Sequence, residues 1–382
     1  MTQRVLLLAP LDGPGGIATW TRILRETVSP DLSIEVIDTA RRYITLGSRS
    51  PIRRVLFGGR DALIRTAQTL RRVRRDPKPD IVYLTCAPSL GFWIRDLPII
   101  VLLGWLGMPT VAHLHGGNVN GFFGPPGPLR WLNTKALGRA SAVICITKQV
   151  ESTARSIFGA GIVFYIPNML PHSYLSRAVV FDRPQRGRPL VLHVAWQSPK
   201  KGNLEVLRVA AQIPEADFVL VGGVPPDAQP EIDRTMAEIG HPENVTFVGP
   251  VFDPELSGIY DRADVFLFPS HFRGEGFPMV VLEAMSHSLP VVATDVGEVA
   301  VMLGVGLLSP AGCVLTTTST NLVDDLASIT RRLLLDRDAN HRMGRAGRER
   351  VERLYDAEKV VPKIESLLAA VVSGRQGPTP RS

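Results

Sequence analysis

Short runs rich in Val, Ile and Leu alternate with helix-like stretches along this chain, and after residue 189 the alternation starts again. The first set is "RVLLLAP" (4–10), "IEVID" (34–38), "DIVYLT" (80–85), "PTVAHLHG" (109–116), "AVICIT" (142–147) and "VFYIPN" (163–168). The second set is "LVLHVA" (190–195), "DFVLVGG" (217–223), "VTFVG" (245–249), "VFLFP" (265–269), "VVAT" (291–294) and "GCVL" (312–315). Strands this apolar are buried on both faces, and their alternation with helices predicts parallel sheets covered on each side. The Pro/Gly-rich segment "RPQRGRP" (183–189) separates the two sets as a linker. A chain of 382 residues also exceeds what one core usually serves. The expected fold class is therefore α/β, with two doubly wound, Rossmann-like domains at 1–175 and 176–355. The stretches 320–335, 338–353 and 357–372 read as closing helices. The last, within 356–372, is expected to pack back on the first domain, and the tail 373–382 reads as disordered. Ligands of such sheets sit outside the carboxyl ends of the strands, so a cleft where the two domains face each other is the expected site.

Several classes drop out on composition. Cys86, Cys145 and Cys313 lie far apart without a CxxC pair, which argues against a disulfide framework or zinc site and suits a reducing cytosol. "VLLLAP" is too short for a signal-peptide core. The uncharged stretch 97–112, "LPIIVLLGWLGMPTVA", holds two prolines and falls short of the ~20 residues of a membrane span. A buried helix leading into a strand is the better reading. Charge is uneven: residues 1–170 carry 21 Lys and Arg against 10 Asp and Glu, the remainder 22 against 26. Segment 41–78 alone has 12 basic and two acidic residues. Within it "ALIRTAQTLRRVRR" sets Leu63, Ala67, Leu70 and Val73 along one helical face, with Arg65, Arg71, Arg72, Arg74 and Arg75 around it. This is either a solvated helix face or a surface for anionic lipid at the inner face of the plasma membrane. Nucleic acid fits poorly, because no aromatics interleave with the arginines.

Three glycine-bearing loops follow strands. In "LDGPGGIATW", Gly13, Gly15 and Ala18 satisfy G-x-G-x-x-A, and Asp38 ends the second strand as a dinucleotide fingerprint asks, so an NAD-dependent enzyme is one reading. A plain tight turn before a helix is another, and close approach of Gly15 and Gly16 to a phosphate is a third. In "HVAWQSPKKGNLEVL", Lys200 and Lys201 stand in a loop where Gly202 opens a helix, a pattern suited to an anion, although loop lysines are usually only solvated. "VFLFPSHFRGEGFPMVVLEAM" repeats strand, loop and helix, with Pro278 suited to the first turn and Gly276 and Phe277 offering backbone N–H groups. Glu283 is the sole charge in the helix that follows. A buried carboxylate is costly unless hydrogen-bonded, by a structural partner or by a ligand diol such as ribose. Glu275 near the helix start is either a dipole partner or a contact for a polyhydroxyl ligand. His113 and His115, two residues apart at a strand end, point to one side, either as core histidines or toward a ligand. His115 is preferred because Gly116 and Gly117 beside it leave room.

At these residues the sequence resembles the family-4 retaining glycosyltransferases of the GT-B fold. Glu275 and Glu283 match that family's E-x7-E motif, "GPGGIATW" is similar to its N-terminal glycine loop, "HLHGGN" to its first-domain histidine segment and "YIPN" to its stretch before the linker. The likeness runs from residue 4 to about 350 and is most specific in the second domain. It implies a nucleotide-diphosphate sugar donor and no metal or other cofactor. By position, Glu283 would hold the ribose, and Glu275 with the Gly276, Phe277 and Pro278 region would face the sugar. Lys201 and Lys200 would neutralise the diphosphate, Gly16 would approach it, and His115 would sit beside the anomeric carbon. Gly15, Gly116 and Asn118 would line the acceptor side. Trp196 stands where the family usually has an arginine, with Lys200 or Arg273 as candidate replacements. The expectation is a retaining hexosyltransferase, UDP-sugar favoured over GDP-sugar, acting at the inner membrane surface on a lipid-linked or polysaccharide acceptor in envelope or exopolysaccharide synthesis. A sugar-nucleotide epimerase of the same architecture and a non-catalytic sugar-nucleotide sensor, hinted at by Trp196, remain as rivals.

Overall fold

A computed structural model describes residues 2–11, 15–40, 51–88, 92–124, 127–177 and 187–374. Gly13, residues 41–50 of the arginine-rich segment, most of the linker 183–189 and the tail from 375 lie outside the described residues. The chain divides into two compact units, Met1–Pro171 with Ala357–Ser382, and His172–Asp356. The break at Pro171 lies a few residues before the 175 read from the sequence.

The first unit holds β1 (Gln3–Ala9), β2 (Leu32–Asp38), β3 (Ile81–Cys86), β4 (Thr110–Leu114), β5 (Ala142–Cys145) and β6 (Val163–Tyr165). They form one sheet in the order β2-β1-β3-β4-β5-β6, every pair parallel. The second holds β7 (Leu190–Val194), β8 (Asp217–Val221), β9 (Val245–Gly249), β10 (Val265–Phe268), β11 (Val291–Thr294) and β12 (Gly312–Leu315). Their order is β12-β11-β10-β7-β8-β9, again all parallel. All twelve apolar runs are strands, and the central ones are buried throughout, as β3 and β10 show. The strand order reverses between β1 and β3 in one sheet and between β7 and β10 in the other, and a crevice opens at such switch points.

The apolar stretch after residue 96 is the helix Leu97–Trp105 leading into β4. Among the described residues no helix is long and apolar enough to cross a membrane. The helix Ala357–Val372 belongs to the first unit, where Gln3 Nε2 donates to the Leu368 carbonyl (3.2 Å) and Ser29 N–H to Glu365 (2.7 Å). Asp38 closes the end of β2, where its Oδ1 accepts from the Leu11 (3.0 Å) and Ala40 (2.8 Å) amides.

The helix Pro51–Arg74 turns differently from the sequence reading. Among its described side chains, Ala62, Thr69 and Val73 are buried, whereas Leu63 is 73% exposed and Ala67 faces solvent. Residues 62, 69 and 73 share one face at 3.6 residues per turn, and the stripe through 63 and 67 lies about a quarter-turn away. Among the described side chains, Arg72 is engaged with Glu35 (2.6 Å) and Arg65 with Asp61 (3.4 Å). Arg71, Arg74 and Arg75 stand exposed beside the outward apolar stripe.

Candidate functional site

The loops leaving β7 and β10 meet at the switch point of the second sheet. After β7 the chain makes a short 3-10 turn, Pro199–Lys201, and Gly202 then opens the helix Asn203–Gln212 in the left-handed region, φ 83°. A Cβ at Gly202 would lie 2.1 Å from the carbonyl oxygen of Pro269, so only glycine allows the two loops to touch. Gly202→Ala is therefore expected to cost about 2 kcal/mol from the left-handed strain and the displaced carbonyl, lowering Tm by about 4–8 °C in a thermal melt.

This contact sets Lys201 against the loop that follows β10. Its ammonium lies 2.6 Å from Glu275 Oε2 and 4.8 Å from the centre of the Phe272 ring. Ser270, fully buried, holds the same carboxylate oxygen at 3.4 Å and accepts the Phe272 amide at 3.3 Å. From β11, Thr294 Oγ1 donates to the Ser270 carbonyl (2.5 Å) and the Glu298 amide to the Gly276 carbonyl (2.8 Å). Gly297 is wedged there, for a Cβ would stand 2.3 Å from the Gly276 oxygen. Three successive strand ends thus fix the position of one carboxylate and one ammonium in a half-open crevice. Lys200 and Arg273 point to solvent nearby, and the exposed indole of Trp196 covers Gly223.

Pro278 is the residue before the helix Met279–Ser286, not its first turn. Lacking an N–H, it contributes a fixed φ of −68° rather than a donor. Phe277 is buried and packs edge-on against Tyr355, ring centres 5.3 Å apart, so its side chain serves the core. One helical turn on, Glu283 is half-buried, and the Tyr260 hydroxyl donates to its Oε2 at 3.1 Å. Burial pushes the Glu283 carboxyl up to about 7, the Tyr260 hydrogen bond opposes this, and the Asp253 charge adds to it. The helix is thus not sealed all round, since the Glu283 side is open enough for a polar partner.

In the first unit, His113 near the end of β4 and His115 just after it lie with ring centres 3.9 Å apart. Trp20 packs edge-on against both at 4.9 Å, and the Tyr83 hydroxyl is 2.8 Å from His113 Nδ1. Burial holds the His115 imidazole down at about 3, and burial with the neighbouring His115 holds His113 well below its usual range. Both rings are neutral near pH 7. Gly116 does not open a space beside His115, because ring carbons of Pro88 lie 2.6 Å from where its Cβ would be. Asn118 caps the short helix Val119–Phe123, its side chain accepting the Gly121 amide at 3.0 Å. Gly15 precedes the helix Gly16–Thr27 with φ 145°, a conformation glycine tolerates best, in open surroundings.

Two family descriptions cover most of this chain: "Glycosyl transferase 4-like domain" over residues 15–169 and "Glycosyl transferases group 1" over 188–336. The chain belongs to the group 1 glycosyltransferases. It is 27% identical to the phosphatidyl-myo-inositol mannosyltransferase of Mycobacterium leprae, over 97% of this chain and 98% of that one. It is 33% identical to the sulfoquinovosyl transferase of Arabidopsis thaliana, over 47% of this chain and 33% of the relative. The chain spans between a third and about half of the length of several such curated relatives. Among solved structures, the Anabaena protein HepE in complex with UDP-glucose superposes with a TM-score of 0.71 at 17% identity, over 96% of this chain and 99% of that one. The two parallel six-stranded sheets are the GT-B fold.

Within the second unit, Lys201 and Glu275 come into direct contact, with Gly276 to Pro278 in the same loop. Glu283 is tied instead to Tyr260, and His115, Gly15, Gly16, Gly116 and Asn118 belong to the first unit. Tyr260, Ser270 and Gly297 were missed by sequence reasoning. "DVGE" at 295–298, a glycine after a strand, was a usable signal for the third, whereas nothing near Tyr260 links it to Glu283 before folding.

Proposed function

We propose that this enzyme transfers a hexosyl group, with retention, from a nucleotide-diphosphate sugar to a hydroxyl of a lipid-linked or polysaccharide acceptor, as a step in envelope or exopolysaccharide synthesis. The observation that carries the reading is the Lys201–Glu275 pair, 2.6 Å apart at the switch point of the second sheet. Cleaving a glycosyl–diphosphate bond develops negative charge on the leaving group and positive charge on the sugar. A fixed ammonium meets the first and a fixed carboxylate the second. Lys201, with Lys200 beside it, takes the diphosphate. Its positive charge stands where other enzymes place a metal, and the reaction proposed needs none. Glu275 and the backbone of Gly276 and Phe277 face the sugar, with Pro278 fixing the loop, and Glu283 accepts the ribose hydroxyls.

For the remaining positions, a neutral His115 is suited to a sugar hydroxyl rather than a phosphate, and Gly16 and Gly15 leave backbone free for an anionic group. Gly116 and Asn118 shape the loop on the acceptor side. UDP is favoured as the nucleotide because HepE was solved with UDP-glucose. GDP-sugar is the second choice. The protein is proposed to work in the cytoplasm, peripheral to the inner face of the plasma membrane, with the exposed Arg71, Arg74 and Arg75 meeting anionic lipid.

A donor panel tests this directly. Incubation with UDP-, GDP-, ADP- and dTDP-sugars plus lipid-linked or saccharide acceptors is expected to release one nucleoside diphosphate in step with acceptor glycosylation. Inversion at the transferred carbon, read by NMR, would remove the retaining mechanism. Donor conversion without acceptor would point to an epimerase, and binding of donor with no turnover to a sensor.

A further inference from the structure

The first unit carries tryptophan and leucine on its outer surface next to cations that, among the described residues, no carboxylate pairs with. Trp131 is 63% exposed and Leu132 57%, adjacent on the helix Pro128–Leu137. Trp105, 69% exposed, and Leu106 end the neighbouring helix Leu97–Trp105. The two helices pack on each other. Gly104 permits this, since a Cβ there would fall 2.8 Å from Cβ of Arg139. The Arg139 guanidinium in turn lies 5.6 Å from the Trp105 ring centre, which ties this arginine to the first apolar pair, and the second pair stands exposed on the helix packed beside it. Lys135, one turn beyond Trp131, is exposed on the same helix face.

The sequence around the patch is free of acid. Between Asp96 and Glu151 there is no Asp or Glu at all, while Arg130, Lys135, Arg139 and Lys148 fall within that span. Neither Lys135 nor Arg139 has an ion pair among the described residues.

We infer that Trp105, Leu106, Trp131 and Leu132 form an apolar anchor that inserts into an anionic lipid bilayer, with Lys135 and Arg139 meeting the headgroups. Tryptophan is the side chain that best suits the boundary of water and hydrocarbon, carrying a large apolar body and one N–H. Lysine and arginine beside it add attraction to anionic headgroups, and a lone electrostatic patch seldom holds a protein to a membrane without a second signal. Protein interfaces also favour tryptophan and arginine, but lysine is depleted from their cores, and the exposed Lys135 beside Trp131 fits a headgroup layer better. The inference rests on the membrane placement proposed above and needs nothing from the catalytic reading.

The test uses the full chain and vesicles of phosphatidylcholine alone or mixed with phosphatidylglycerol. Flotation is expected with the mixed vesicles, and brominated acyl chains are expected to quench tryptophan fluorescence. The double variant Trp131→Ser, Leu132→Ser should partition at least about tenfold more weakly, since burying even one such side chain exceeds the 1.4 kcal/mol that tenfold represents. Its circular dichroism and nucleotide binding should be unchanged. Trp105→Phe with Trp131→Phe should still float but lose the quenching. Lys135→Glu with Arg139→Glu should weaken the preference for phosphatidylglycerol, leaving only the share carried by Arg71, Arg74 and Arg75. Flotation of the Ser double variant at the unaltered affinity would overturn the anchor. So would quenching that survives both Phe substitutions, or a Ser variant that abolishes self-association in sedimentation while leaving vesicle binding intact. Donor binding measured on the same variants keeps failure of the anchor distinct from failure of the glycosyl-transfer reading.

Discussion

Glu275→Gln is expected to leave the chain folded and to lower kcat by about 10²–10³-fold, as removal of one group that stabilises developing charge does elsewhere. Glutamine keeps the shape and a hydrogen-bonding oxygen for Ser270 Oγ, now 3.4 Å away, so the loop has little reason to move. What disappears is the negative charge facing the sugar and the 2.6 Å partner of Lys201. Lys201→Ala is expected to act on the other half, weakening donor binding because no ammonium meets the diphosphate. The two groups touch, so their effects should not add. In a double-mutant cycle the pair should fall short of the product of the singles, because each single change already leaves the other group without its partner. The readout separates catalysis from architecture. A pair that only tied two loops together would lose melting temperature on substitution and retain kcat in the surviving folded protein. Normal kcat in Glu275→Gln would end the assignment of that carboxylate to the sugar.

Much of this was legible before folding, and the reason differs by element. The strands were readable because each is buried on both faces, so its apolar run is uninterrupted and needs no partner to be recognised. Glu275 and Glu283 were readable because a charge inside an apolar run, or in a glycine loop before a helix, is locally anomalous. The orientation of the helix Pro51–Arg74 was not. Its leucines and alanines are spread around more than one face, and the choice of Ala62, Thr69 and Val73 as the buried set depends on what they pack against. The same holds for Tyr260, which reaches Glu283 from a separate helix 23 residues away. His115 shows a third kind of failure. The glycines beside it suggested open access, yet Gly116 is small because Pro88 fills the space, a contact with a residue 28 positions upstream that sequence pattern does not reveal. Local pattern thus discloses burial and anomaly, while the identity of a partner is a tertiary property.

The carboxyl of Glu283 makes a second large effect measurable through pH. Held up to about 7 by burial, against an ordinary value of 4.5, it binds its proton more tightly in the folded chain than in the unfolded one. Stability from this group is therefore complete below about pH 4.5 and is lost as pH rises through about 7, with a total of about 3 kcal/mol at one pKa unit per 1.36 kcal/mol. Glu283→Gln, which cannot ionise, is expected to escape that loss. Its stability relative to the unaltered chain should improve steadily between pH 5 and 8 in urea unfolding. Donor binding should run the opposite way. An ionised carboxylate accepts from both hydroxyls of a ribose diol through charge-assisted hydrogen bonds, whereas the protonated form is neutral and keeps only one carbonyl oxygen to accept, so its bonds to the diol are weaker. Affinity for a nucleotide-diphosphate sugar, which has no phosphate titrating near neutrality, is then expected to rise about tenfold from pH 6 to pH 8 as the ionised fraction grows. The Gln variant should bind weakly at every pH with that dependence gone, and calorimetry in buffers of different ionisation enthalpy should find a proton released on binding only to the unaltered chain. A donor affinity that is flat across this range, or one that persists unchanged in Glu283→Gln, would detach Glu283 from the ribose and leave Tyr260 as its only tie.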